Sequence, residues 1–123
     1  MIRHRITARP IALACLLALP LSACVGAANP SAQRATELAT LVSRSIACKA
    51  GAPKRDTLTR FLQAEEARGA TAEQIASARS TYVTVSEAQT INQGIRPERC
   101  TSEERVAIGE KMSAVRAGRF DGL

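Results

Sequence analysis

Residues 71–92 read TAEQIASARSTYVTVSEAQTIN, and this stretch decides between an all-helical chain and a mixed one. Its centre, Thr81-Tyr82-Val83-Thr84-Val85, is β-branched and aromatic and has strand propensity. Yet Ile75, Ala78, Tyr82, Val85 and Gln89 recur at helical spacing towards Asn92. Thr71 with Gln74 three residues later has the form of a capping box. A period sustained over about twenty residues outweighs a local preference over five, so the stretch is expected to be a helix. Gly94 and Pro97 mark the break after it.

The same reasoning extends outward. Upstream, Asp56 is the expected cap of a helix running to Arg68. Leu58, Phe61, Leu62 and Glu65 define one of its faces, and Gly69 suits a left-handed stop. Before that, Asn29-Pro30 reads as a helix start, with Asn as N-cap and Pro at the first helical position. Leu38, Leu41, Val42, Ser45 and Ile46 follow at helical spacing. This helix should end near Cys48, because Gly51 and Pro53 come next. Downstream, Thr101 with Glu104 has the form of a second capping box, opening a last helix that carries Ile108, Met112 and Val115. Met112 and Tyr82 are expected in the core. The fold expected for residues 30–123 is therefore all-α, a small four-helix bundle. Its large aromatics are only Phe61, Tyr82 and Phe120. Such a core gives modest burial energy, and a covalent staple would help it.

The first 23 residues follow a different grammar. Arg3, His4, Arg5 and Arg9 make a basic start, Ile11 to Leu21 an uncharged apolar run, and Ser22 and Ala23 a small-residue close. That is the order of a secretory signal. The apolar run falls short of the roughly 20 residues that span a bilayer. Leu21-Ser22-Ala23-Cys24 resembles the lipobox of bacterial lipoproteins. The resemblance implies that the Cys24 thiol is alkylated by diacylglycerol, the signal is cut before it, and the new amine is acylated. Residues 24–29 would then be a lipidated N-terminus and short linker. Stable anchoring needs more than one acyl chain, at about 0.8 kcal/mol per buried methylene, and a triacylated cysteine supplies it. Val25 stands where an Asp would retain such proteins in the inner membrane. By resemblance this places the domain on the outer membrane, facing the periplasm. The alternative is plain secretion, with Val25-Gly26-Ala27 as the cleavage site and Cys24 discarded.

Subtracting the signal changes the chemistry that is left. Cys15 leaves with it and Cys24 takes the lipid, so Cys48 and Cys100 remain as a pair in an oxidising compartment. A disulfide is expected there, two free thiols or a metal site being the alternatives. A metal would lack partners, because the only histidine, His4, is in the signal. Without Arg3, Arg5 and Arg9 the Lys and Arg fall from 17 to 14 against 11 acids, leaving a net charge of +3 rather than +6. Those basic residues are scattered among acids without interleaved aromatics, which argues against nucleic acid as a partner. No histidine is left for a Ser-His-Asp or Cys-His site. No glycine-rich phosphate loop follows a strand. Glu65-Glu66 and Glu103-Glu104 are adjacent on their helices, point about 100° apart, and read as solvated faces. Neither an enzyme nor a cofactor is expected.

What remains is a binding or assembly role. A first helix ending at Cys48 is followed by a turn containing Pro53, and Thr57-Leu58-x-Arg60 opens the second helix. A Gly69 stop, a long third helix and Cys100 before the last helix complete the order. In this the chain resembles the helical pilotins, lipoproteins that bind a secretin's C-terminal segment and carry it to the outer membrane. The resemblance implies a protein partner, held as an amphipathic helix in an apolar groove. Pilotins of this sort carry a Trp after the glycine and aromatic or Asn residues after the second cysteine. Here stand Ala70 and Thr101-Ser102-Glu103. A periplasmic stress chaperone, similar in its helices and single disulfide but freely soluble, is the alternative from another class. A surface or structural lipoprotein is the third.

Overall fold

The computed structural model describes residues 29–123. The described chain is a small all-α bundle of α1 (Pro30–Ala47), α2 (Thr57–Ala67), α3 (Ala72–Ile95) and α4 (Ser102–Arg116). One disulfide, Cys48–Cys100, staples it. The expected signal, the lipobox-like Leu21-Ser22-Ala23-Cys24 and the expected linker up to Ala28 lie outside the described residues.

α1 is the helix around which the rest assembles. Its Asn29 carboxamide accepts from the Ala32 N–H at 3.1 Å, and Pro30 occupies the first turn. Ala35, Leu38, Ala39, Leu41, Val42 and Ser45 are all buried. α3 lies along it and α4 packs on it, while α2 packs on α3. Ile46 departs from the expected face: it is 59% exposed. Ser45 is the residue that points inward, and one step along a helix turns the next side chain about 100° away. The helix stops in a Schellman turn, with Ala50 N–H donating to the Ser45 carbonyl at 2.8 Å and Lys49 N–H to Ile46 at 3.2 Å. The left-handed residue there is Lys49, at φ 53°, a position that usually takes glycine. Ser45 Oγ then donates to the Gly51 carbonyl, fastening the loop back on the helix.

α2 differs from expectation at its start. Asp56 stands in the cap position, but its backbone is at φ −93°, ψ 7° and its side chain makes no capping bond. The Thr57 N–H, at the first helical position, donates to the Lys54 carbonyl at 3.1 Å, so a backbone turn leads into the helix. The end is as expected: Gly69 at φ 97° closes a second Schellman turn, with Ala70 N–H on Glu65 O at 3.1 Å. Phe61 is fully buried and meets Phe120 edge-on, centroids 5.6 Å apart at 72°.

The carboxylates of α2 overturn one expectation. Glu66 is solvated, but Glu65 is 2% exposed. Ser31 Oγ donates to its Oε2 at 2.9 Å and Arg34 Nε to its Oε1 at 2.8 Å. Arg34 Nη2 also donates to the Phe120 carbonyl at 3.1 Å. The carboxylate thus ties α2 to the start of α1, and Arg34 passes the tie on to the chain beyond α4. Glu65 shares the inward face with Phe61 and Leu62, and it is tolerated there because it is paired and hydrogen-bonded.

α3 carries both halves of its capping box: Thr71 Oγ1 accepts from Gln74 N–H at 3.2 Å, and Gln74 Oε1 accepts from Thr71 N–H at 2.9 Å. Thr81 to Val85 are helical, as periodicity predicts, and the helix continues past Asn92 through Gly94 to Ile95. Only Ala78 of α3 is fully buried, with Ile75 and Tyr82 packed against the core from partly exposed positions. α4 makes half of the expected second box. Thr101 Oγ1 accepts from Glu104 N–H at 3.1 Å, but the Glu104 carboxylate turns to Arg44 instead. Ile108, Met112 and Val115 are buried as expected.

Candidate functional site

The disulfide and the charges around it form the first candidate. α1 delivers Cys48 at its end, and Cys100 sits just before the cap of α4, the two Cα atoms 5.5 Å apart. One turn before Cys48, Arg44 reaches across the same junction. Its guanidinium donates to Glu98 at 2.8 Å and to Glu104, and lies 3.8 Å from the Cys100 sulfur. Arg105 Nε donates to the Cys48 carbonyl at 2.9 Å. Cys48, Cys100 and Glu104 have their donor atoms within 4.8 Å of one another. The two sulfurs are bonded to each other, so neither is a thiolate, and a guanidinium already occupies the carboxylate. The junction is a joint, held once covalently and once by charge.

That joint has a pH dependence with a definite sign. The hydrogen bond from Arg44 holds the Glu104 carboxyl below its ordinary value of 4.5, outweighing the opposing effect of desolvation. A carboxyl with a depressed folded-state pKa adds stability above its unfolded value and loses it as the pH falls. Unfolding free energy is therefore expected to fall progressively below about pH 4.5. In Glu104→Gln this part of the fall should be missing. Denaturation curves of both proteins over the acid range measure it, and parallel profiles would refute the assignment.

Among the described residues two chiefly apolar grooves run along α1. The larger, about 480 Å³, lies between α1 and α4. Leu41, Ala107, Ile108 and Leu123 give it an apolar floor, and Glu37 and Lys111 stand on its rim with opposite charges. The smaller, about 310 Å³, lies between α1 and α3 and is lined by Val42, Ile46, Tyr82 and Ser86. Burial pushes the Tyr82 phenol above its ordinary value, while the Ser86 hydroxyl beside it pulls the other way. Tyr82 is thus a groove wall as well as a core residue. Cys48 and Cys100 are brought together as the sequence predicts, whereas Cys24 lies outside the described residues. Arg44 was not singled out from the sequence, and Leu41, Glu104 and Ile108 of the larger groove were read there only as core or capping residues. Only the place of Arg44 in the last turn of α1, where a cation faces the helix carbonyls, marks it there. No helix among the described residues is long and apolar enough to cross a membrane. Comparison with known protein families, with curated proteins and with solved structures gives no match.

Proposed function

We propose that this chain is a non-catalytic assembly factor, exported and lipidated on Cys24, which holds an amphipathic helix of a partner protein at the outer membrane. The observation that carries the reading is the groove between α1 and α4, an apolar floor with a rim of both charges. Such a groove suits a helix that lays one apolar face down and presents polar residues to the edges. Its α1 wall runs from Thr36 to Arg44, about 12 Å at 1.5 Å per residue, which matches anchors spaced over two turns. The joint at Cys48–Cys100 supports the role by fixing α4 against α1, since the two helices are the walls of the groove. By its resemblance to the pilotins, the partner is a secretin's C-terminal segment, delivered to the membrane in which the lipid sits.

The test is the fate of a secretin in cells. Deletion of this chain is expected to leave the secretin monomeric or in the inner membrane. Cys24→Ala, which removes the anchor, should do the same. Ala107→Trp, which fills the groove floor from an exposed position, should reproduce the defect with the domain still folded. Normal secretin assembly in the deletion strain would sink the reading.

A further inference from the structure

The outer side of α3 is unlike the rest of the surface. Ile75, Ala78, Tyr82, Val85 and Gln89 turn towards the bundle. On the opposite side Val83, Ile91 and Ile95 are 44%, 61% and 71% exposed. Residues 80–95 contain a single charged side chain, Glu87. An exposed helix ordinarily carries charge on its outward face, and this one carries apolar bulk. The two halves of that face also differ. Its first half presents the small residues Ala72, Ala76 and Ser80 together with the charged Glu73, all exposed, and its second half presents the large ones. Arg79 and Glu87, both exposed, lie eight residues apart on the same side with Val83 midway. Among the described residues neither makes an ion pair.

We propose that this face of α3 binds a second copy of the same chain, the two helices running antiparallel about a two-fold axis near Val83. The pattern is complementary to itself in that arrangement. Arg79 of each copy comes opposite Glu87 of the other, twice by symmetry, as an isologous contact requires. Ile91 and Ile95 of each copy lie over Ala76 and Ala72 of the other, large against small. Val83 meets its own counterpart at the centre. A parallel pairing would set Arg79 against Arg79 and Glu87 against Glu87, which is repulsive. α3 has 24 residues and is about 36 Å long. A single helix pair of that length buries on the order of 1,000 Å², at the low end of specific interfaces, so the dimer is a weak one. The contact is separate from the groove between α1 and α4 and does not depend on what that groove holds.

Two differently tagged copies of the full chain, co-expressed, test this by capture of one and quantitation of the other. The wild-type pair should be recovered together. Glu87→Arg and Arg79→Glu should each lower co-recovery about ten-fold, equivalent to about 1.4 kcal/mol. The double variant Arg79→Glu/Glu87→Arg, which restores complementarity, should return it to near the wild-type level. Helical circular dichroism with a cooperative thermal transition checks that each variant is folded. Absent wild-type co-recovery, unaltered single variants or a double variant that fails to recover would each overturn the proposal. A photo-crosslinker placed at Val83 should give a species of twice the chain's mass. Crosslinking to lipid or to another protein in its place would equally overturn it.

Discussion

Glu65→Ala is expected to destabilise the domain by about 3–5 kcal/mol, the range for removing one partner of a buried ion pair. The loss should appear as a lower denaturant midpoint at unchanged slope, or as a fall of about 15–30 °C in Tm for a domain of this size. The reason is what the carboxylate leaves behind. Arg34 has only 16% of its side chain exposed, and its Nε would lose its acceptor, as would the Ser31 hydroxyl. Arg34 would keep only its bond to the Phe120 carbonyl. Glu65→Gln, which keeps an acceptor oxygen, should cost less than the alanine. Arg34→Met with Glu65→Leu should recover much of the loss, because an apolar pair of similar volume avoids desolvating two charges. A loss below about 1 kcal/mol for the alanine would show that solvent reaches Arg34 in its place.

Removing the staple is the other large effect. Cys48→Ala with Cys100→Ala is expected to cost about 4 kcal/mol in the chain-entropy account, for a pair 52 residues apart. The cost arises mostly in the unfolded chain, whose ends are no longer held together. The Arg44 clamp to Glu98 and Glu104 survives the substitution. The folded joint should therefore keep its shape, with near-native circular dichroism at low temperature and a much lower midpoint. Exposed ion pairs are worth about 1 kcal/mol or less, and the clamp is partly exposed, so charge cannot replace the bond. A midpoint unchanged from the disulfide-bonded protein would contradict this division of labour.

How much of this was legible in the sequence depended on how local its cause was. Helix starts and stops act within four residues, so Asn29-Pro30, Thr71 with Gln74, and Gly69 could be read directly. Periodicity gave α3 its identity against the β-branched run at Thr81 to Val85. Causes that act at a distance left no trace. Glu65 and Glu66 look alike in sequence. Only Ser31 and Arg34, more than thirty residues earlier, distinguish the buried one from the solvated one. Glu104 promised a reciprocal cap and was taken instead by Arg44, sixty residues upstream. Asp56 stands in the cap position without a capping bond, and its backbone there is not extended. The end of α3 moved to Ile95 because a single Gly94 costs only about 1 kcal/mol in a helix. The larger groove was illegible for the same reason as Glu65, since its walls are helices at opposite ends of the chain.

The position of the disulfide also decides how the domain bears load. Cys48 ends α1 and Cys100 precedes α4, so α2 and α3 lie wholly inside the covalent ring. A pull applied between residue 29 and residue 123 runs along α1, crosses the sulfur–sulfur bond and leaves along α4. The 51 residues between the cysteines, which would extend to about 180 Å if free, stay slack. Stretched from its ends, the oxidised domain can yield only its first and last helices and the short segments outside the ring that flank them. The reduced domain yields everything, and the difference in contour length is a direct mechanical signature of the staple.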